Sequence, residues 1–242
     1  MKKIKFIPLA ITVIAGSLLY SCKKDNSLKA VTTDPASYAN VKIYSATLNA
    51  SRNYLFTGQM PLTGSPFAYG GVYPANDSYF TLPVGNTSFT VKDTLTTTTQ
   101  PVISFGANIE SGKYYTIFTY DTMRTPKAMV VADNITIPAD TTSRVRFANF
   151  IYSNTGAAVN VDLWSKRLNA NVFTNIPVNT VTDFISYSGK FTDTLYVRNT
   201  GTSTNLTALY SQFFDQKRSY TLIYRGSAGA GATKTLGGYT NY

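Results

Sequence analysis

From about residue 40 onward the apolar residues fall in short β-branched and aromatic runs, separated roughly every ten residues by Gly, Asn, Asp, Pro and Ser. No stretch sustains a helical period, so the pattern predicts a chain of short strands closing into a sandwich or barrel. Val41 to Leu48 reads as an opening strand with alternating inward and outward side chains, and Val145 to Ile151 repeats it. Ser78 to Val84 followed by Thr87 to Lys92 reads as a strand pair turned by Gly85-Asn86. Thr182 to Ser188 and Thr192 to Arg198 form the corresponding pair, turned by Gly189-Lys190. Late aromatic strands follow at Tyr114 to Tyr120 and at Ser219 to Arg225, and Ser227 to Lys234 reads as a flexible hairpin or as a mobile loop at an interface. About seven strands are expected in each half.

The halves repeat each other. Val41-Lys42-Ile43 matches Val145-Arg146-Phe147 at an offset of 104, and Phe80 with Gly85 matches Phe184 with Gly189 at the same offset. Phe89 to Thr94 matches Leu195 to Thr200 at 106, and Tyr115 to Phe118 matches Tyr220 to Ile223 at 105. Four blocks in order at a near-constant offset indicate an internal duplication. The expected fold is therefore all-β, two tandem immunoglobulin-like antiparallel β-sandwich domains related by that duplication. The first copy covers residues 39–133, a polar, Pro-containing linker 134–143, and the second copy 144–242.

The blocks resemble a known pattern. An opening V-[KR]-[IF] strand, a central strand ending in Gly, V-[KR]-[DN], and the late strand of Glu110-Ser111-Gly112-Lys113-Tyr114-Tyr115-Thr116 are similar to the family called domain of unknown function 4397. The second copy departs at the last block, with Asp215-Gln216-Lys217-Arg218-Ser219-Tyr220-Thr221. The resemblance implies tandem β domains of an exported protein, including lipoproteins of the Bacteroidetes type, and implies no activity. In that lineage Asp-Thr followed by an apolar residue or Thr resembles an O-glycosylation site, which marks Thr94, Thr122, Thr141 and Thr194 as candidates. The lineage also implies an outer-membrane location, with the periplasmic and cell-surface faces both open.

The N-terminus breaks the β pattern. Met1-Lys2-Lys3-Ile4-Lys5 is basic, Phe6 to Leu19 is an uncharged apolar run of about 14 residues, and Ser21-Cys22 closes it. This describes a secretory signal peptide over residues 1–21, shorter than the ~20 residues of a spanning helix. Leu19-Tyr20-Ser21-Cys22 resembles the lipobox at which a cysteine is acylated, so Cys22 is the expected membrane anchor, with 22–38 as a flexible tether. Cys22 is the only cysteine, and no internal disulfide can form.

Composition narrows the chemistry. Without Lys2, Lys3 and Lys5 the chain keeps 19 basic against 12 acidic residues, scattered rather than clustered, which argues against nucleic acid. A mild attraction to anionic lipid or acidic glycan is the functional alternative to a merely soluble surface. There is no His, no thiol beyond Cys22, and Glu110 is the only Glu. His- and Cys-based acid–base, nucleophilic and metal chemistry is therefore missing from the folded part. Acid–base work would rest on eleven Asp with no D-x-D-x-D calcium spacing among them, and no cofactor or metal is expected. A binding or structural role in the envelope is the leading expectation, with protein or glycan as partner. An Asp-based glycan-processing accessory enzyme is the alternative, and would need two facing carboxylates. Trp164, the sole Trp, alternates to the face opposite Val161 and Leu163, as a contact platform or as a cover for the sandwich edge or domain junction. Tyr69 and Tyr73, around Gly70-Gly71, are a second candidate contact or ordinary packing at a bend.

Overall fold

The computed structural model describes residues 34–95, 97, 100–154 and 160–242. Cys22, the leader and most of the tether lie outside the described residues. Asp34–Tyr242 is a single compact unit.

The first sandwich is built from β1 (Tyr38–Ser45), β2 (Asn53–Thr57), β3 (Met60–Pro61), β4 (Val72–Tyr73), β5 (Phe80–Pro83), β6 (Gly85–Asp93), β7 (Ile103–Ile109), β8 (Tyr114–Tyr120) and β9 (Lys127–Ala132). The second follows with β10 (Ser143–Tyr152), β11 (Val161–Ser165), β12 (Ala170–Ile176), β13 (Thr180–Val181), β14 (Ile185–Tyr187), β15 (Phe191–Asn199), β16 (Asn205–Phe214), β17 (Ser219–Ser227) and β18 (Lys234–Thr240). Among the described residues each sandwich thus has nine strands rather than about seven, because two-residue strands such as β3, β4 and β13 are too short to show a period. In each, one sheet has the order β4-β1-β8-β9 or β13-β10-β17-β18, with β5 and β14 pairing the opening strand as well. The other has the order β3-β2-β6-β7 or β12-β11-β15-β16. Pairing is antiparallel except for β1 with β8 and β10 with β17, which run parallel.

Two expectations are corrected here. Gly85-Asn86 and Gly189-Lys190 do not close hairpins. β5 pairs β1 while β6 pairs β2 and β7, so the chain changes sheets at this corner; β14 and β15 do the same. Gly85 stands at φ 119° there, and Lys190 at φ 63°. The repeat register also shifts. Val41 pairs Phe80 whereas Val145 pairs Ile185, so Phe184 is the counterpart of Tyr79, at an offset of 105.

The opening strands are buried on both faces. Val41 and Ile43 join Leu55, Phe89, Val91 and Ile117 in the first core, and Val145 and Phe147 join Leu163, Leu195, Val197 and Leu222 in the second. The alternate residues, which the pattern assigns to the outside, form a third core between the sandwiches. Tyr44, Ala46 and Phe118 meet Ala148, Phe150, Ile223 and Tyr239 there. Alternation distinguishes one face from the other but does not distinguish water from a second sheet. The sheets carrying β1 and β10 are therefore inner sheets of a four-layer stack, and those carrying β2 and β11 are outer sheets.

Candidate functional site

The junction holds a polar cluster among its apolar contacts. Arg146 Nη2 lies 2.6 Å from Asp133 Oδ1, with both side chains shut away from water. Asp133 Oδ2 accepts from Thr116 Oγ1 at 2.6 Å and from Tyr79 Oη at 2.8 Å. Arg146 Nε donates to Thr221 Oγ1 at 2.8 Å, and its guanidinium lies 4.6 Å from the Phe184 ring centre. Lys42 is the duplicate of Arg146 but has no carboxylate partner: it donates to Asn76 O at 2.6 Å and Thr240 O at 3.1 Å. The Tyr79 and Tyr239 rings flank its ammonium at 4.7 and 4.9 Å. Burial draws the Lys42 pKa down to about 8, although Asp133 and Asp77 oppose the shift. Asn241 occupies the position that duplicates Asp133, so the Arg146–Asp133 charge pair has Lys42 and Asn241 as its duplicate, without a carboxylate. Every group in this cluster bonds another protein group, which makes it a fastening rather than an opening.

The outer sheet of the second sandwich is different. Val161, Leu163, Leu195 and Val197 point into the core, so Trp164 and Tyr196 face outward as cross-strand partners. Their rings are 5.8 Å apart, and Tyr210 stands edge-on to Tyr196 at 6.4 Å. Tyr210 is 72% exposed because β16 bulges at Tyr210-Ser211, with Ser211 at φ 52°. Phe213, opposite Thr192 and 45% exposed, extends the row. The Arg198 guanidinium lies over Trp164 at 4.0 Å and is braced by Asn205 Oδ1, 2.8 Å from Nε. Three adjacent strands thus present Trp164, Tyr196, Tyr210 and Phe213 on one open face. Tyr196 lies on β15 and Tyr210 and Phe213 on β16, with no common motif, so no sequence pattern marks them as one face.

The duplication supplies an internal control. Register places Phe56, Thr90, Gly106 and Asn108 of the first outer sheet where the second has Trp164, Tyr196, Tyr210 and Phe213. Phe56 carries Lys92 over its ring at 4.7 Å, as Trp164 carries Arg198. The fold is thus met with small polar residues at three of these positions, and aromatic rings there are not a requirement of packing.

The remaining candidates lie elsewhere. Tyr69 sits under the Arg225 guanidinium at 4.9 Å, beside Gly70, whose φ of 81° permits the bend. Tyr73 packs on Phe80 at 6.2 Å and its hydroxyl accepts from Gly64 N at 2.9 Å. Neither joins the Trp164 row. Thr94 and Thr141 are exposed, and Thr194 faces outward beside Tyr196 in β15. Thr122 is half-buried and shares a hydroxyl contact of 3.1 Å with Thr125. In all four motifs the Asp caps nearby backbone: Asp93 Oδ1 accepts from Leu95 N, Asp121 Oδ1 from Thr122 N, Asp140 Oδ1 from Thr142 N and Asp193 Oδ1 from Thr194 N.

Buried carboxylates are likewise engaged. Asp162 accepts from Asn171, Asn175, Thr200 and Gly201, and Asp193 from Ser165, Tyr187 and Arg167 N. Burial and the Asp193 bond hold the Tyr187 hydroxyl above its ordinary range. A crevice of about 230 Å³ brings Asp77 and Asp215 to one wall, but Asp77 is spent on Arg218 at 3.0 Å in the open. Among the described residues no group of His, Cys, Asp and Glu could hold a metal.

No curated protein matches the chain in sequence. Among solved structures, a family 26 carbohydrate-binding module from Eubacterium rectale, in complex with maltoheptaose, is similar at 9% identity and a TM-score of 0.26, over 83% of this chain and 96% of that one. A proposed cell-adhesion protein from Bacteroides uniformis is similar at 12% identity and a TM-score of 0.22, over 86% and 100%. Scores this low bear on neither ligand nor partner. The family model for domain of unknown function 4397 matches residues 39–161, from the second residue of β1 to the first of β11, and the chain belongs to that family.

Proposed function

We propose that this chain is a non-enzymatic binding protein of the outer membrane, tethered through lipid on Cys22, that contacts glycan through the outer sheet of its second sandwich. The observation that carries the reading is the aromatic row itself. Tyr196, Tyr210 and Phe213 stand on the outer face at positions where the duplicate sheet has Thr90, Gly106 and Asn108, while Trp164 stands where it has Phe56. Exposing such rings forfeits burial of apolar area, so their accumulation on one copy calls for something to cover them. Tyr and Trp offer flat apolar faces with a polar edge, which suits the ring faces of sugars. The rival reading, an Asp-based glycan-processing enzyme, has its buried carboxylates committed to Arg146, to loop amides and to Tyr187.

Binding is tested by native affinity gels cast with neutral and acidic polysaccharides. Retardation of the purified chain, lost in Tyr210→Ala, supports the reading; unaltered mobility in every polysaccharide contradicts it. The anchor is tested separately by fatty-acid labelling of cells. Cys22→Ala should abolish both label and membrane retention, and a mutant that still fractionates with membrane removes the lipid tether from the account.

A further inference from the structure

The cation on this face points to the charge of the ligand. Arg198 and Asp162 are directly opposed on β15 and β11, the arrangement that ordinarily yields a cross-strand ion pair. They do not pair. Asp162 is 3% exposed and its oxygens turn the other way, accepting from Asn175 N at 2.8 Å, Thr200 Oγ1 at 3.0 Å, Asn171 Nδ2 at 3.1 Å and Gly201 N at 3.3 Å. That saturates a carboxylate. Arg198 is held instead by its flat face on Trp164 and by Nε on Asn205. Its two terminal nitrogens have no acceptor among the described residues and are not shut off from water. The other acidic residue of the sheet, Asp193, is also buried and bonded, so no accessible carboxylate of these strands competes for the guanidinium.

We propose that Arg198 is the anion-recognising residue of the aromatic face and that the ligand is a glycan bearing uronate carboxylates. This rests on the reading of that face as a glycan-binding surface. A guanidinium fixed on one edge and one face presents its remaining N–H fork in a set direction, which matches a planar carboxylate two-pronged. The Tyr196 ring centre is 5.9 Å from the guanidinium carbon, so a pyranose stacked on Tyr196, with Tyr210 standing edge-on beside it, brings its own carboxylate next to the fork. A neutral sugar would cover the rings and leave the cation unanswered. The duplicate Lys92 on Phe56 lacks both the fork and the extended row, which confines the site to the second sandwich.

Trp164 is the only Trp, so its emission reports from the site alone. The full chain is titrated with an oligogalacturonide and with the same oligosaccharide methyl-esterified, which removes the charge and keeps the sugars. The acidic form should bind at least ten-fold more tightly, and the gap should narrow at high salt. Arg198→Gln should close the gap without abolishing binding of the ester, and Arg198→Lys should restore part of it. Equal affinities, or a gap that survives Arg198→Gln, overturn the uronate assignment while leaving the glycan face intact. Absence of any emission change with either oligosaccharide overturns the uronate assignment, and the polysaccharide gels decide separately whether the glycan face stands. An emission change with anionic lipid vesicles and none with the oligosaccharides assigns the cation to a lipid headgroup, which also overturns the proposal.

Discussion

Asp133 is the one carboxylate in a buried cluster that also holds two cations, Lys42 and Arg146. A buried ion pair is a poor source of net stability, but breaking one is costly because the surviving charge is stranded. Asp133→Ala should therefore destabilise the chain by about 3–5 kcal/mol in denaturant unfolding; a loss below ~1 kcal/mol would mean that water or another group relieves Arg146. Lys42 works in the opposite sense. Its folded pKa, about 8, lies below the ordinary 10.5, so between these values the unfolded chain binds more protons and stability rises with pH. Below about pH 8 the cost of burying the ammonium is present in full. Replacing it with Met removes that cost, so the stability of wild type relative to Lys42→Met should climb by on the order of 3 kcal/mol between pH 8 and 10.5. Taking the difference cancels the tyrosines common to both proteins; a flat difference would contradict the assignment.

Strands rather than residues carry the duplication, and they were unequally legible. The V-[KR]-[IF] openings and the late Tyr-Thr strands stand out because each is long, β-branched and paired in register with its neighbour, β1 with β8 and β10 with β17. The corner between β5 and β6 is not legible in the sequence, since a Gly-containing break between two apolar runs looks the same whether the chain turns back in one sheet or passes to the next. The binding face was legible only in Trp164. Tyr196 and Tyr210 stand out only against their counterparts in the first copy, Thr90 and Gly106, whose register the strand pairing fixes. Close approach at the β17–β18 hairpin gives an element-level prediction. Gly226 has φ 122°, and a Cβ there would come within 2.2 Å of Thr233 O. Gly226→Ala should cost more than about 1 kcal/mol through strain and a displaced strand; an unchanged unfolding midpoint would mean that the hairpin is loosely held.

At the scale of the molecule, the junction makes the two sandwiches one body. The inner sheets bury Tyr44, Phe118, Phe150 and Ile223 against each other, around the Asp133–Arg146 pair. Exposing that face would uncover apolar surface and two buried cations together, so neither sandwich is expected to persist after the other unfolds. Calorimetry should give a single two-state transition over residues 34–242; two resolved transitions would show the sandwiches to be independent. A rigid pair keeps the aromatic face on an outer layer, away from the junction.

The most direct test of that face uses the substitutions that the first sandwich already contains. Trp164→Phe, Tyr196→Thr and Phe213→Asn together give three of the four aromatic positions of the second outer sheet the residues of the first, with Tyr210 kept. If the rings serve binding, the triple variant should melt within about 5 °C of wild type, as expected for a loss near 1–2 kcal/mol, and migrate unretarded through polysaccharide that slows wild type. A variant that unfolds, or one that folds and is still retarded like wild type, would contradict the account, the first by showing the rings to be packing and the second by placing the glycan elsewhere.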